Sequence, residues 1–151
     1  MPNFRTPELL RRKHQELHEE LLRAIDSGGE LEKAAKLIEE PLYPHFMKEE
    51  EFALPPLGLL ATIAEGKVDP EMRDVLTMTE RLKKEMPGLI EDHLEIVQRL
   101  KHFDDAVKAE KKVEFSKFTE KISTHAQMEE DVLYPASILI GEYLQEKLRR
   151  C

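Results

Sequence analysis

The amino-acid sequence predicts an all-α fold, an antiparallel bundle of four long helices with a short additional C-terminal helix. Apolar residues recur at spacings of three and four, as they do along one face of an α-helix. Glycine and proline mark short breaks between these segments, which favours antiparallel neighbours. Of the 151 residues, 40% are hydrophobic, 36% charged and 6% aromatic, with no tryptophan. This mixture is typical of amphipathic helices, and no linker divides it, so we expect a single domain over residues 1–151.

The first helix is expected from about Pro7 to Asp26. Thr6 is a suitable N-cap, and Pro7 suits the first helical position. The apolar stripe of this helix consists of Leu10, Leu17, Leu21, Leu22 and Ile25. The sequence Ser27-Gly28-Gly29 is expected to end it.

The second helix is expected from near Glu30 to about Leu54, where two consecutive prolines end it. Pro41 and Pro44 lie inside this range and are expected to kink or split the helix, because each removes a backbone donor and crowds the preceding turn. A short apolar connector is expected at 57–64.

The third helix is expected to open at Asp69-Pro70, an N-cap followed by proline at the first helical position. Its apolar periodicity continues to roughly Ala106. Pro87-Gly88 interrupts the pattern, so we expect a bend or a restart there.

The fourth helix is expected from about Lys111 to Leu133, ending at Pro135. The last amphipathic piece, residues 136–149, is the short C-terminal helix of the predicted fold.

The chain is acidic, with 23 Lys and Arg against 31 Asp and Glu and a formal net charge of −8. Such a chain repels phosphate backbones and anionic lipid headgroups, which argues against nucleic-acid and membrane partners. No stretch approaches the roughly 18 uninterrupted apolar residues of a membrane span, and the N-terminus lacks the apolar run of a signal peptide. The one cysteine, Cys151, is the last residue, which excludes an internal disulfide and a thiolate metal cluster. We therefore expect a protein of the reducing cytoplasm.

The chain repeats itself with an offset of 79 to 80 residues. Each half carries a histidine after a proline and an apolar turn, His14 after PELL and His93 after PGLI. Each half then carries a histidine followed by a run of acidic residues, in HFMKEEE at 45–51 and in HAQMEED at 125–131, with a proline ten residues after the histidine. An acidic run alone is usually a solvated helix face. That interpretation does not explain the shared histidines, so we interpret the repeat as functional.

His45 with Glu49, and His125 with Glu129, are spaced as neighbours one turn apart on a helix, with Cβ atoms about 5–6 Å apart. Each pair can therefore bind one metal ion from a single helix. Imidazole nitrogen together with carboxylate oxygen suits iron, manganese, zinc or cobalt rather than calcium or a soft copper site.

A single histidine from each of the other two helices completes a predicted set of four histidines and two glutamates. His93 lies on an apolar helical face, where a histidine needs a polar partner; a satisfied core histidine is the alternative. On the first helix the repeat register favours His14 over His18. If both carboxylates bridge two octahedral ions, about two positions per ion stay open for a bridging oxygen and an exogenous ligand. The set is too large for one structural zinc.

The Glu-x-x-His motif of ferritin-like di-iron bundles is missing. The residues three positions before the six histidines are Arg11, Gln15, Leu42, Ile90, Arg99 and Ile122. None of them is acidic, so the ferritin-like interpretation fails.

The motifs resemble those of the hemerythrin-like (HHE cation-binding) family. The matching residues are His14, HFMKEEEFALPPL at 45–57, His93 and HAQMEEDVLYPA at 125–136, and the resemblance covers nearly the whole chain. It implies an up-down four-helix bundle with a non-haem di-iron centre that binds oxygen, nitric oxide or related small ligands. Oxygen-carrying hemerythrins place a second histidine one turn after the third-helix histidine, where this chain has Val97. One iron should therefore be more open than in a dedicated carrier.

Two further residues are candidate ligands. His18 stands at the place equivalent to Val97 and is either a fifth histidine ligand or a group at the edge of the pocket. Glu130 competes with Glu129, since some family members ligate with a five-residue spacing. We favour Glu129 because it copies Glu49.

Three residues near the motifs are expected outside the ligand set. His102 lies nine residues after His93, on the opposite helical face, and is expected in solvent. Tyr43 and Tyr134 flank the motifs and could line the pocket. We favour core packing with the hydroxyl at the surface for each.

The predicted function is that of a non-enzymatic binding protein with two iron ions, which captures oxygen, nitric oxide, peroxide or iron itself for sensing, storage or transfer. The six glycines are scattered, and neither a phosphate-binding loop nor a Ser-His-Asp pattern is present. One alternative is a di-iron enzyme, an oxidase, peroxidase or nitric-oxide-reducing or iron-repair protein that uses the more open iron. The other is a metal-free interaction bundle. Zinc or manganese are the expected substitutes for iron in the site.

Overall fold

The computed structural model describes residues 4–149, and every regular element in that range is helical. The α-helices are α1 (Glu8–Asp26), α2 (Gly29–Lys48), α3 (Leu60–Ala64), α4 (Val75–Ala109), α5 (Phe118–Met128) and α6 (Tyr134–Arg149). The predicted all-α class is confirmed for the described range. Cys151 and the first three residues lie outside it.

Short turns of other helix types join these α-helices. The 3₁₀ turns are Pro55–Leu59, Pro70–Asp74 and Val113–Phe115. Two π-helical turns are also present: Glu49–Ala53 directly follows α2, and Glu129–Leu133 joins α5 to α6. The π-turns were not predicted, and both begin at a predicted ligand.

The second helix was predicted to be kinked or split at Pro41 and Pro44. Helix α2 runs without a break through both prolines, so a split is wrong. Pro41 has no N–H to donate to the carbonyl of Leu37, four residues earlier. Arg99 of α4 donates to that carbonyl instead, at 2.6 Å. A partner from another helix therefore supplies the hydrogen bond that the proline removes.

The predicted restart at Pro87-Gly88 is also wrong, because α4 is continuous from Val75 to Ala109. Both residues lie on the exposed side of the helix, where water can satisfy a carbonyl that lacks its helical donor. The predicted end at Pro135 is wrong as well: this proline is the second residue of α6. As the second residue of α6 it lies in the first helical turn, where proline is tolerated.

The helix starts depend on contacts that differ from the predicted caps. Helix α1 begins at Glu8 with Pro7 as its N-cap residue, one position later than predicted, and no side chain caps it. Helix α2 begins at Gly29, and the carboxylate of Glu110 accepts from the next two backbone N–H groups at 3.0 Å each. The predicted cap at Asp69 is confirmed: its side chain accepts from the N–H of Glu71 at 2.8 Å, although a 3₁₀ turn precedes α4.

Two apolar clusters lie one on each side of a polar layer. The first core, contributed mainly by α1, α2, the C-terminal half of α4 and α5, contains Leu17, Leu21, Ile38, Leu42, Phe46, Ile96, Leu100, Phe103, Phe118 and Ile122. The second core, contributed mainly by the connectors after α2, the N-terminal half of α4 and α6, contains Phe52, Leu57, Met72, Leu82, Leu89, Tyr134, Ile140 and Leu144. Ligand candidates occupy the positions between the two, as Glu49 does between Phe46 and Phe52.

The C-terminal helix is an integral part of the second core. Helix α6 packs along the N-terminal half of α4, and the side chain of Thr79 lies against Gly141. A Cβ at position 141 would overlap that side chain, so this packing needs a glycine. Within residues 4–149, no helix combines the length and the apolar character that a membrane crossing requires.

Candidate metal centre

The six predicted ligands converge in the polar layer between the two cores. His14 comes from α1, His45 from α2, His93 from α4 and His125 from α5, while Glu49 and Glu129 are the first residues of the two π-turns. All six are buried, each less than 5% exposed. Their nitrogen and oxygen atoms form two groups that could each hold a metal ion, and Glu129 belongs to both.

The first group consists of His45, Glu49, His93 and Glu129. The Nε2 atoms of His45 and His93 lie 2.9 Å apart. Oε1 of Glu129 lies 3.0 Å from Nε2 of His93, and Oε1 of Glu49 lies 3.2 Å from Nε2 of His45. Two nitrogens and two carboxylate oxygens thus face one small volume.

The second group consists of His14, His125 and Glu129. Oε2 of Glu129 lies 3.2 Å from Nε2 of His14 and 3.2 Å from Nε2 of His125. The two oxygens of one carboxylate therefore face different pairs of histidines. A carboxylate in this position can bridge two metal ions.

The Nδ1 atoms of two imidazoles form hydrogen bonds with carboxylates outside the two groups. These bonds determine which ring nitrogen is available to a metal ion. Nδ1 of His45 lies 2.9 Å from Oδ2 of Asp92, and Nδ1 of His93 lies 2.7 Å from Oε2 of Glu130. A carboxylate can only accept, so we assign the donating proton to Nδ1 in both rings, which leaves Nε2 as the metal-binding atom. Two Nε2 lone pairs at 2.9 Å repel unless a cation or a proton lies between them. The residues therefore fit a bound metal ion.

Unpartnered buried atoms support the same conclusion. Oε1 of Glu49 and Nε2 of His125 have no hydrogen-bond partner, although both are buried. Buried polar atoms are rarely left without a partner, and a metal ion would provide one for each. Within the described residues, Glu49 and Glu129 make ion-pair contacts with histidines and with no lysine or arginine.

The two π-turns occupy equivalent places in the repeat and explain a spacing that the sequence analysis overlooked. In each turn the hydrogen bonds run to the fifth residue, as from Leu54 N–H to the carbonyl of Glu49 at 2.9 Å. Leu54 and Tyr134, each five residues after the glutamate, are fully buried. After Glu129 the next buried residue is Tyr134, a step of five, whereas after Glu49 the buried residues Phe52 and Ala53 come before Leu54. The step after Glu129 was the available signal for a π-turn, a feature common at functional sites.

Tyr134 is the functional residue that the sequence analysis interpreted wrongly. Its hydroxyl is not at the surface: the residue is 0% exposed, and the hydroxyl donates to Oε2 of Glu49 at 2.6 Å. Its ring stacks on His93 with a centroid distance of 6.0 Å. The hydroxyl thus holds one oxygen of Glu49 and leaves the other for a metal. Tyr43, by contrast, is exposed and lies beside His18.

The remaining candidates lie outside the two groups. Nε2 of His18 lies 3.0 Å from Oε2 of Glu39, so the structure does not bring His18 to the other histidines. Glu130 contacts the outer nitrogen of His93, whereas Glu129 lies in the centre. His102 is exposed on α4, as predicted.

The buried groups shift one another's proton affinities. Burial and the charge of Glu129 raise the pKa of Glu49 to about 8. Burial opposes protonation of His45, but hydrogen bonds with Glu129 and Glu49 outweigh it and raise its pKa to about 10. Burial likewise disfavours the charged form of Glu129, yet hydrogen bonds with Glu49 and the histidines hold its pKa well below the usual range. Burial and the carboxylate charges raise the pKa of Tyr134, so its hydroxyl remains a donor at neutral pH.

A small cavity of about 10 Å³ adjoins the ligands. Its lining consists of His45, His93, His125 and Glu129 together with Leu42, Phe46, Ile96, Val97, Ile122 and Ala126. Val97 is 45% exposed, so it lies at the outer edge. The volume is close to that of one water-sized probe.

Comparisons with protein-family models, with curated proteins and with solved structures gave no match to this chain. The class that the fold and the site define is an all-helical protein whose buried histidine and glutamate groups could hold a metal ion.

Metal binding should release protons and strengthen as the pH rises. At pH 6 to 7.5, below the raised pKa values of Glu49 (about 8) and His45 (about 10), both groups carry protons that a metal ion must displace. Each displaced proton strengthens binding about tenfold per pH unit, so we expect a rise of up to about 100-fold per unit. Calorimetric titration with cobalt(II) in buffers of different ionisation enthalpy counts the protons. An affinity that does not change over this range would contradict the prediction.

Replacing Tyr134 by phenylalanine should destabilise the metal-free protein by about 1–3 kcal/mol, because Oε2 of Glu49 loses its donor while the ring still stacks on His93. The matched control, Tyr43→Phe, removes a hydroxyl from an exposed ring and should change stability by less than about 0.5 kcal/mol. Urea denaturation measures both. Equal effects of the two substitutions would show that the hydrogen bond to Glu49 contributes nothing.

Proposed function

We propose that this chain is a non-haem di-iron protein of the hemerythrin-like kind, an antiparallel up-down four-helix bundle that binds oxygen, nitric oxide or a related small ligand. The observation that carries the proposal is the position of Glu129. One of its oxygens faces His93 at 3.0 Å and the other faces His14 and His125 at 3.2 Å each. A carboxylate shared in this way supports a two-metal centre.

The donor set supports iron as the resident metal. Four imidazole nitrogens and three carboxylate oxygens, two from Glu129 and one from Glu49, suit iron, manganese, zinc or cobalt. Calcium would require more oxygens, and copper(I) would favour sulfur. Iron held by such ligands, with positions left open, supplies reversible ligand binding and redox chemistry. Zinc and manganese are the expected substitutes.

The cavity supports a small, uncharged ligand. Apart from the ligands themselves it is lined by apolar side chains, and its volume of about 10 Å³ excludes bulky substrates. Val97 lies at its edge and cannot ligate, so a position beside His93 and His125 stays free for an exogenous molecule. A small uncharged molecule needs no charged partner among these apolar side chains.

The residues around the ligands have separate tasks. Asp92 and Glu130 orient the imidazoles of His45 and His93 through their Nδ1 atoms. Tyr134 holds one oxygen of Glu49. The two apolar cores keep bulk water from the layer, which strengthens every electrostatic contact inside it.

A di-iron enzyme is the second candidate, and the Tyr134 hydroxyl favours it. This buried phenol donates to Oε2 of Glu49 and lies 3.4 Å from Nε2 of His93, so a protic group lies next to the first group of ligands. Steady turnover of peroxide or nitric oxide with a reductant would support an enzyme. A stable oxygen adduct that dissociates on deoxygenation would support a binding protein.

The test of the proposed function is reconstitution with iron(II) under anaerobic conditions, followed by oxidation, metal analysis and an ultraviolet-visible spectrum. We expect two iron ions per chain and the bands of an oxo-bridged di-ferric centre. Glu129→Ala should lose the bands, because it removes the shared carboxylate, whereas Glu114→Ala, at an exposed position of a 3₁₀ turn, should keep them. Retention of both ions and of the bands in Glu129→Ala would contradict a bridging role. Fewer than two ions in the unmodified protein would contradict the di-iron proposal.

A further inference from the structure

We infer that the two metal positions are unequal: the first group binds its ion tightly and retains it, and the second group binds an exchangeable ion. This inference rests on the proposed two-metal function and concerns the affinities of the two positions. The groups are those defined above, with His45, Glu49, His93 and Glu129 in the first and His14, His125 and Glu129 in the second.

The donor sets already differ. The first group offers two imidazoles and two carboxylates, and the second offers two imidazoles and a share of Glu129. Oε2 of Glu49 is held by Tyr134 at 2.6 Å, so Glu49 has one oxygen to give. Leu54 is the repeat equivalent of Tyr134. Its side chain has no hydroxyl, so it cannot donate a hydrogen bond to Glu129. Both oxygens of Glu129 therefore stay available. The one available oxygen of Glu49, Oε1, lies 3.2 Å from Nε2 of His45 and 3.5 Å from Nε2 of His14, so it lies nearer the first group.

The outer nitrogens of the histidines differ more strongly. In the first group both Nδ1 atoms have carboxylate partners at hydrogen-bond distance, 2.9 and 2.7 Å. In the second group Nδ1 of His125 is buried and has no partner. Nδ1 of His14 has no hydrogen bond either; its nearest carboxylate oxygen, Oε1 of Glu50, lies 3.7 Å away. Only the first pair is thus oriented and made more basic by hydrogen bonds to carboxylates.

The repeat explains this difference in terms of single residues. Asp92 directly precedes His93 and accepts from His45 of the other half. The residue directly before His14 is Lys13, an amine that cannot accept from His125. The repeat thus duplicates the ligands but gives the second position no counterpart of Asp92. Glu50, the counterpart of Glu130, lies 3.7 Å from Nδ1 of His14, beyond hydrogen-bond distance.

The size of the effect is considerable. Loss of one such outer partner typically weakens metal binding about 10–100-fold. With two hydrogen-bonded carboxylates on the first group and none at hydrogen-bond distance on the second, we expect dissociation constants that differ by about 100-fold. The second ion can therefore leave to a chelator or to an acceptor protein while the first remains bound.

The test is a calorimetric titration of the full metal-free chain with cobalt(II), followed by chelator challenge of the loaded protein. We expect two separate binding steps and removal of one ion per chain by the chelator. Asp92→Ala should weaken the tight step about 10–100-fold and leave the weak step unchanged. Asp92→Asn should restore part of the loss, because the amide oxygen still accepts from Nδ1 of His45 but carries no charge.

A gain-of-affinity variant separates an outer-partner effect from general damage to the fold. Lys13→Asp should supply an acceptor at the place equivalent to Asp92 and strengthen the weak step about tenfold or more. Arg12→Asp makes the same change of charge at the neighbouring, exposed position and should have a much smaller effect. An equal effect of the two substitutions would show that the change in net charge alone strengthens binding. That result would overturn the inference.

The remaining outcomes distinguish the inference from the function on which it rests. Two ions bound with the same affinity, or both removed together by the chelator, would overturn the inference and leave the two-metal function intact. Binding of one ion or none at up to millimolar cobalt(II) would overturn both.

Discussion

The structure depends on the burial of two carboxylates among four imidazoles. Glu49 and Glu129 are 0% and 1% exposed, and in the described residues their ion-pair contacts run to histidines only. A buried carboxylate is costly unless a positive charge accompanies it. Protons meet part of this requirement, as the raised pKa values of Glu49 and His45 indicate. A metal ion meets it more completely, because it also accepts the lone pairs that converge in the layer.

The sequence was sufficient for the helices and for the convergence of the six candidate ligands, because both follow from local periodicity and from an internal repeat. It was insufficient wherever a distant partner decides the outcome. The continuity of α2 through Pro41 depends on Arg99, which lies 62 positions from the carbonyl that it contacts. The inward orientation of Tyr134 depends on a π-turn and on Glu49, 85 positions away. The spacing of apolar residues along the sequence does not indicate such long-range contacts. The role of the six residues as ligands stays a prediction.

The two halves of the repeat supply nearly the same ligands, but the residues around those ligands differ. Positions that bind directly are duplicated, whereas the residues one layer out differ between the halves, as Asp92 and Lys13 do. Affinity, openness and ligand orientation are set largely by that outer layer. Such an arrangement lets the two halves keep the same fold and the same donor atoms while the two positions acquire different properties.

Anomalous X-ray diffraction from crystals of the iron-loaded protein, recorded at the iron edge, would show whether Glu129 joins two metal ions in one buried layer. We expect two peaks roughly 3.5–4 Å apart, one against each oxygen of the Glu129 carboxylate. Peaks confined to the protein surface, or a single peak away from Glu129, would contradict this role of Glu129.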